Sequence, residues 1–276
     1  MNRVFITGAS SGLGAALARE YAARGATVGL VARRRDALDA LRAQLPNPER
    51  HPVYVLDVTD RAALSAAAAD FIARCGGADI VIACAGISVG TLTEYSEDLA
   101  VFDAIIATNV GATVATFAPF IATMKAQMKA QDTPCRLVGI GSVAGVRGLP
   151  GAGAYSASKA AVRVYCESLR LELKPHGIAV VTIAPGYIDT PMTKHNSYPM
   201  PFLMTPARFA ARAAKTIAAG TTYRVIPWQM GVVAKLLRLL PDVLYDLLFV
   251  NAPHKARKAA KAAPEGTREA APEGTP

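Results

Sequence analysis

Tyr155 and Lys159 stand four residues apart in Ala154-Tyr-Ser-Ala-Ser-Lys159, so on a helix their side chains share one face and the ammonium can sit beside the phenol. An unperturbed phenol has a pKa of about 10 and is only roughly one part in a thousand ionised at pH 7. A neighbouring cation lowers that value toward the range in which the phenol exchanges a proton with a bound substrate. Upstream, Ser142 ends a strand-like run, and Gly141 and Gly145 beside it leave room for its hydroxyl to hold a carbonyl oxygen. A Tyr/Lys pair at this spacing is more often surface decoration, so its meaning depends on what accompanies it.

It is accompanied by the glycine-rich segment Thr7-Gly8-Ala9-Ser10-Ser11-Gly12-Leu13-Gly14. Glycine permits a tight turn there and lets backbone approach a pyrophosphate, which meets the positive end of the following helix. The glycines depart from the GxGxxG dinucleotide fingerprint, and taken alone the loop also reads as a bare turn. Its position after a strand and before a helix favours nucleotide binding. Further on, where an acid is expected for a cofactor with a free ribose 2′-hydroxyl, the chain instead reads Ala32-Arg33-Arg34-Arg35. Forked guanidinium donors suit a phosphate, so NADP is favoured over NAD. A purely solvating role is disfavoured, because cations at a helix N-terminus oppose its dipole.

These groups need rigid elements to hold them. Short apolar, β-branched runs at 4–7, 28–32, 53–56 and 80–84 read as buried parallel strands. Amphipathic helical stretches at 13–24, 36–45 and 61–74 lie between them, and the rhythm continues with a helix at 99–129, a strand at 136–141, a helix at 155–173 and a strand at 179–184. Alternation of this kind predicts right-handed crossovers in one doubly wound parallel sheet. A long loop at 187–205, of the length of lids and binding loops, precedes a helix at 206–219 and a strand at 223–226. The expected organisation is one Rossmann-type α/β domain over 1–228, an apolar helical extension over 229–250, and a tail over 251–276. The tail's composition and its repeated Ala-Pro-Glu-Gly-Thr, at Ala263 and Ala271, predict disorder.

With 276 residues, 52% of them hydrophobic, the chain can bury a large core, which excludes wholesale disorder. Its net charge of +9 suits nucleotide phosphates, nucleic acid or acidic lipid. Nucleic acid is set aside, because no recognition motif or interleaved aromatic platform accompanies the charge. Four cysteines without a CxxC pair or a nearby histidine at ligand spacing predict no metal site and free thiols in a reducing cytoplasm. The N-terminus lacks signal-peptide features, so export is not expected. The histidines are scattered and are assigned no catalytic role; His195 is read as an exposed loop residue.

Together these motifs resemble the short-chain dehydrogenase/reductase family over about residues 2–228: the loop at Thr7, Ser142, the Tyr-x-x-x-Lys at Tyr155, and Pro185-Gly186 after the sixth strand. The resemblance implies Tyr155 as general acid/base, Lys159 binding the nicotinamide ribose and lowering the tyrosine pKa, Ser142 positioning substrate, and Asn109 helping to organise a proton-relay water. It implies cofactor contacts from Gly8, Ser10, Ser11, Gly12, Leu13, Gly14, Arg33, Arg34, Asp57, Val58, Ala85, Gly86, Tyr155, Lys159, Pro185, Gly186, Ile188 and Thr190. Asp57 resembles the residue that contacts adenine, and Ile188 and Thr190 those that meet the carboxamide. The family's Asn-Asn-Ala-Gly stands here as Ala83-Cys84-Ala85-Gly86, and Cys84 cannot supply the backbone bracing of the asparagine it replaces. Cys84 is read as a buried structural thiol rather than a redox sensor. The resemblance further implies a homodimer or homotetramer paired through the 99–129 and Tyr155 helices, where Ala157, Ala160 and Ala161 allow close approach.

The long loop offers Tyr187, Met192, Tyr198, Pro199, Met200, Pro201, Phe202, Leu203 and Met204, apolar groups that favour a hydrophobic carbonyl or alcohol substrate. Downstream, Trp228, Leu236, Leu237, Leu239, Leu240, Tyr245, Leu247, Leu248 and Phe249 lie near Lys235 and Arg238. That extension is expected either at an anionic membrane surface, where a cytoplasmic enzyme would sit peripherally, or as a hydrophobic entrance, in both cases bringing a lipid-like ketone to the site, or else packed in a subunit interface. The expected reaction is NADP(H)-dependent hydride transfer with Tyr155 handling the proton. A non-catalytic dinucleotide sensor or scaffold is the alternative, and the intact Ser142, Tyr155 and Lys159 set argues against it.

Overall fold

The structure is a computed structural model and describes residues 2–131, 134–194, 196, 199–255 and 257. Seven parallel strands form one sheet: β1 Arg3–Thr7, β2 Thr27–Ala32, β3 Val53–Val55, β4 Ile80–Ala83, β5 Arg136–Ile140, β6 Ala179–Pro185 and β7 Tyr223–Ile226. Their spatial order is β3-β2-β1-β4-β5-β6-β7. The chain first builds outward from β1 to β3, then crosses back to β4 on the other side of β1. This reversal opens a crevice at the carboxyl ends of β1 and β4, the place where such sheets bind ligands.

Strand side chains alternate between two cores, as the two-residue period of a pleated strand requires. Val4, Ile6, Val28, Leu30, Ile80 and Ile82 face one layer. It is covered by α1 Gly12–Ala23, α2 Arg35–Ala43 and α7 Pro206–Ala218 through Leu17, Leu38, Leu41, Phe209 and Ile217. Phe5, Val31, Val81 and Leu137 face the other. It is covered by α3 Arg61–Cys75, α5 Ala112–Gln131 and α6 Gly153–Leu173 through Phe71, Phe117, Phe120, Val162 and Leu169. Phe5 meets Phe71 edge-on at 5.4 Å and Phe120 at 4.9 Å, and burying each such ring contributes roughly 2–3 kcal/mol. Local signals set the helix starts: the Asp60 carboxylate accepts from the Ala63 N–H at 3.0 Å, and Thr205 caps α7 ahead of Pro206.

The helix expected at 99–129 is two, α4 Asp98–Ile106 and α5, joined by a π-helical turn over Ala107–Gly111. This run is long and apolar enough to cross a membrane by length and composition. In the fold its own Ile105, Phe117, Phe120 and Met124 are buried. The expected 229–250 extension is likewise two helices, α8 Trp228–Leu239 and α9 Asp242–Phe249, broken at Pro241 because proline has no N–H to continue the ladder. Residues 251–255 and 257, within the stretch expected to be disordered, are described and touch the body of the protein. Arg257 ion-pairs with Glu97 and Asp98 at 3.0 and 2.7 Å, attractions that composition does not reveal. Residues 258–276, which carry the repeated pentad, lie outside the described residues.

Candidate active site

The loop between β1 and α1 turns at Gly8, whose φ is +73°, a left-handed value that glycine tolerates best. A Cβ on Gly8 would stand 2.8 Å from the Ala85 Cα, and one on Gly14 would strike the Gly8 carbonyl, so small residues are required for β1, α1 and the end of β4 to close on one another. Ser11, at the N-cap of α1, makes no side-chain capping bond. The first N–H groups of α1 therefore face the crevice with their dipole, an arrangement suited to a phosphate.

All the residues expected to hold the cofactor line one cleft of about 730 Å³, within the range of ligand sites. Arg33, Arg34, Asp57 and Val58 stand at one end, the glycine loop and Ala85-Gly86 in the middle, and Ser142, Tyr155, Lys159, Pro185-Gly186, Ile188 and Thr190 at the other. Arg34 donates to the Ser10 hydroxyl at 3.2 Å, and Arg33 lies 3.4 Å from the Asp57 carboxylate. Bonds from the Thr59 N–H, at 2.9 Å, and the Thr59 hydroxyl, with help from Arg33, hold the Asp57 carboxyl below its usual range. A nicotinamide dinucleotide fits this donor set, with phosphates suited to the α1 N-terminus and a reactive ring to the end of the cleft that holds Tyr155 and Lys159.

Tyr155 and Lys159 project from one face of α6. Lys159 is buried; its Nζ donates to the Ile140 carbonyl at 2.9 Å and lies 5.7 Å from the centre of the Tyr155 ring. Burial draws the Lys159 pKa down to about 8. Ser142 closes β5, and its Oγ accepts from the Ala144 N–H at 3.1 Å. Its hydroxyl proton is left to serve as a donor.

Asn109 sits in the π turn, fully buried, and does not line the cleft. Its Oδ1 accepts from the Ile87 N–H at 2.8 Å, and its Nδ2 donates to the Ile87 carbonyl at 3.0 Å and the Ser158 Oγ at 2.9 Å. Ser158 in turn donates to the Tyr155 carbonyl at 2.7 Å. The side chain expected to organise a relay water thus ties the loop after β4 to the helix that carries Tyr155. Cys84 is half-buried; desolvation pushes its thiol up to about 12. The bracing it cannot supply comes from Thr7, whose Oγ1 accepts from the Cys84 and Ala85 N–H groups at 3.1 and 3.3 Å.

Of the apolar loop residues, Met192 lines the cleft, Met204 is buried in the core, and Phe202 and Leu203 are exposed. His195 and Tyr198 lie outside the described residues. Three contributors escaped sequence reasoning. Ser158 and the Ile140 carbonyl carry no side-chain signal of their own, although Ser158 lies inside the Tyr-x-x-x-Lys run. Lys255 places its Nζ 5.7 Å from the centre of the Tyr155 ring from a stretch whose composition reads as tail.

Comparison with known proteins agrees with this geometry. The family model for short chain dehydrogenase matches residues 2–200. An uncharacterized oxidoreductase of Myxococcus xanthus is 38% identical, over 87% of this chain and 93% of the relative. A 2-dehydro-3-deoxy-L-rhamnonate dehydrogenase (NAD(+)) of Sphingomonas sp. is 34% identical, over 68% of this chain and 72% of the relative. Among solved structures, a 3-ketoacyl-(acyl-carrier-protein) reductase from Brucella melitensis complexed with NADH superposes with a TM-score of 0.74. It is 25% identical and covers 82% of this chain and 96% of its own. Sequence match and fold converge on the same conclusion: the chain belongs to the short-chain dehydrogenase/reductase family, oxidoreductases built around a nicotinamide dinucleotide.

Proposed function

We propose that the protein is an NADP(H)-dependent reductase of hydrophobic carbonyl compounds, acting reversibly on the corresponding alcohols, with Tyr155 as general acid/base. The observation that carries this reading is the single cleft with Arg33 and Arg34 at one end and Ser142, Tyr155 and Lys159 at the other. When bound, the dinucleotide supplies or accepts the hydride. The Ser142 hydroxyl holds the substrate oxygen by donating to it. Tyr155 gives that oxygen its proton in reduction and takes it back in oxidation. Lys159, held by the Ile140 carbonyl, stabilises the phenolate through its charge and orients the nicotinamide ribose by hydrogen bonds. Asn109 acts at one remove, fixing Ile87 and, through Ser158, the Tyr155 turn of α6.

NADP is favoured because β2 ends in arginines where an acid would repel a 2′-phosphate, and the nearby Asp57 carboxylate is engaged by Thr59 and by Arg33 itself. The Sphingomonas relative is named for NAD(+) and the Brucella structure contains NADH, so the NADP reading rests on the arginine end of this chain's own cleft. Arg33→Ala with Arg34→Ala is expected to weaken NADPH binding by about tenfold or more while leaving NADH binding nearly unchanged. Equal losses for both would contradict the assignment. A screen of NADPH oxidation over apolar ketones addresses the reaction itself: tight NADPH binding without turnover of any carbonyl would favour a sensor.

We place the enzyme in the cytoplasm, in keeping with its four free thiols, as a homodimer or homotetramer. The exposed stripe Ala157, Val164 and Leu171 on α6, with Phe102 of α4 also exposed, gives the pairing face expected of its helices. A second exposed apolar face on α8 and α9, with Leu236, Leu239, Val243 and Leu247 beside Lys235 and Arg238, is a docking surface for either an anionic membrane or another subunit.

A further inference from the structure

Beyond α9 the chain returns to the loops that follow β4 and β5, near Tyr155, and is fastened there at several points. The Arg257 Nε donates to the Asp98 carboxylate at 2.7 Å, its guanidinium reaches Glu97 at 3.0 Å, and it stacks 3.6 Å from the centre of the Tyr95 ring. Gly90 and Arg257 form a parallel bridge, and His254 packs so closely on Gly151 that a Cβ there would clash. The helices leading into this segment are fixed as well. Arg147 donates to the Leu237 and Leu240 carbonyls at 2.8 and 2.6 Å and pairs with Asp242, and the Tyr245 hydroxyl donates to the Gly148 carbonyl. The loops clamped in this way follow β4 and β5, and the second of them runs from Ser142 to the start of α6.

Lys255 lies between these clamps, half-buried, with its Nζ donating to the Ser88 Oγ at 2.7 Å and 5.7 Å from the centre of the Tyr155 ring. An ammonium has three donors. Among the described residues this one has a single hydrogen-bond partner and no carboxylate within ion-pair distance. Burial lowers its pKa, which is the mark of a cation taken from water without full compensation. Among the described residues Asp57 is the one acid that lines the cleft, and it stands at the opposite end. Glu97 and Asp98, at the start of α4, are engaged by Arg257. Two ammonium groups, Lys159 and Lys255, therefore each stand 5.7 Å from the centre of the Tyr155 ring, and among the described residues neither is ion-paired to a carboxylate, a field that draws negative charge.

We infer that Lys255 recognises an anionic group of the substrate, a carboxylate, so that the compound presented to Tyr155 is an apolar oxo acid or hydroxy acid. This rests on the proposed function and narrows its substrate class. The C-terminal segment then acts as a specificity strap: Arg257 and His254 hold it in place, and Lys255 reads the charge.

Binding of two matched probes, decanoate and the neutral decanamide, to the full-length protein in the presence of NADPH tests the inference by titration calorimetry. The parent protein is expected to bind decanoate about tenfold or more tightly than decanamide, the scale of one charge-assisted hydrogen bond. Lys255→Met should abolish that preference by weakening decanoate alone, and Lys255→Arg should retain most of it. Lys235→Met, which removes the same charge from the exposed face of α8, should leave it intact. No decanoate binding to the parent, equal affinities for the two probes, an undiminished preference in Lys255→Met, or an equal loss in Lys235→Met would overturn the inference. NADPH affinity, read in the same samples from cofactor fluorescence, reports separately on the proposed cofactor site, which Lys255 does not line.

Discussion

At the scale of the residue, Lys159 occupies an unusual position: buried, with the Ile140 carbonyl at 2.9 Å as its partner and a pKa drawn down to about 8 from an ordinary 10.5. Cys84 is no counter-ion for it, since desolvation holds that thiol protonated up to about 12. The unfolded chain keeps the lysine proton until about 10.5, whereas the folded chain releases it near 8. Between those values the unfolded state binds more protons, so the contribution of Lys159 to stability rises with pH. Lys159→Met is therefore expected to be more stable than the parent at pH 7, by roughly 3 kcal/mol, while losing turnover. The gap should close by pH 10.5 in urea melts of the two proteins, and a gap independent of pH would show that burial of the charge is not its cause. The Tyr155/Lys159 spacing was legible in the sequence because a helix makes four-residue neighbours. The partners Ile140 and Ser158 were not, because a backbone carbonyl and a serine carry no distinguishing pattern.

At the scale of the element, the π turn at Ala107–Gly111 decides where Asn109 points. One extra residue per turn swings its side chain under Ile87 and against Ser158 instead of along the helix surface. Such turns collect at functional sites. Hydrophobic periodicity gave a single helix here, because Ile105, Ala112 and Thr116 keep an approximate helical period across the insertion and the intervening Ala and Gly tolerate it. Asn109→Ala leaves the Ile87 N–H and carbonyl without their side-chain partner in a buried setting, and is expected to cost about 2–3 kcal/mol in urea unfolding together with a loss of turnover. Full activity and stability in that variant would remove the clamp from the description of the site. Strand positions, by contrast, were legible almost residue by residue, since buried parallel strands read as short β-branched runs. The strap at 251–255 and 257 was not, because Arg257 finds Glu97 and Asp98 only after the chain has folded.

At the scale of the whole molecule, the reversal of strand order beside β1 places the glycine loop, the arginines after β2 and the α6 face on one crevice although they are far apart in sequence. Two apolar faces remain outside this core, one on α4 and α6 and one on α8 and α9. Val164→Glu, on the exposed stripe of α6, is expected to convert the proposed dimer or tetramer to monomers in sedimentation velocity. Leu239→Glu with Leu247→Glu should leave that profile unchanged and reduce flotation with anionic vesicles if the second face meets lipid. A change in assembly from the latter pair, with flotation unaltered, would assign that face to a subunit contact instead. These surfaces lie at the edge of what sequence alone conveys, since an exposed leucine and a buried one are written with the same letter.

The proton role of the phenol remains the point on which the chemistry turns. Tyr155→Phe keeps the ring and removes the O–H, so NADPH affinity is expected to stay close to that of the parent while turnover of a reducible ketone falls by about 10²-fold or more. Turnover equal to the parent, at unchanged cofactor affinity, would contradict the assignment of Tyr155 as the group that exchanges a proton with substrate.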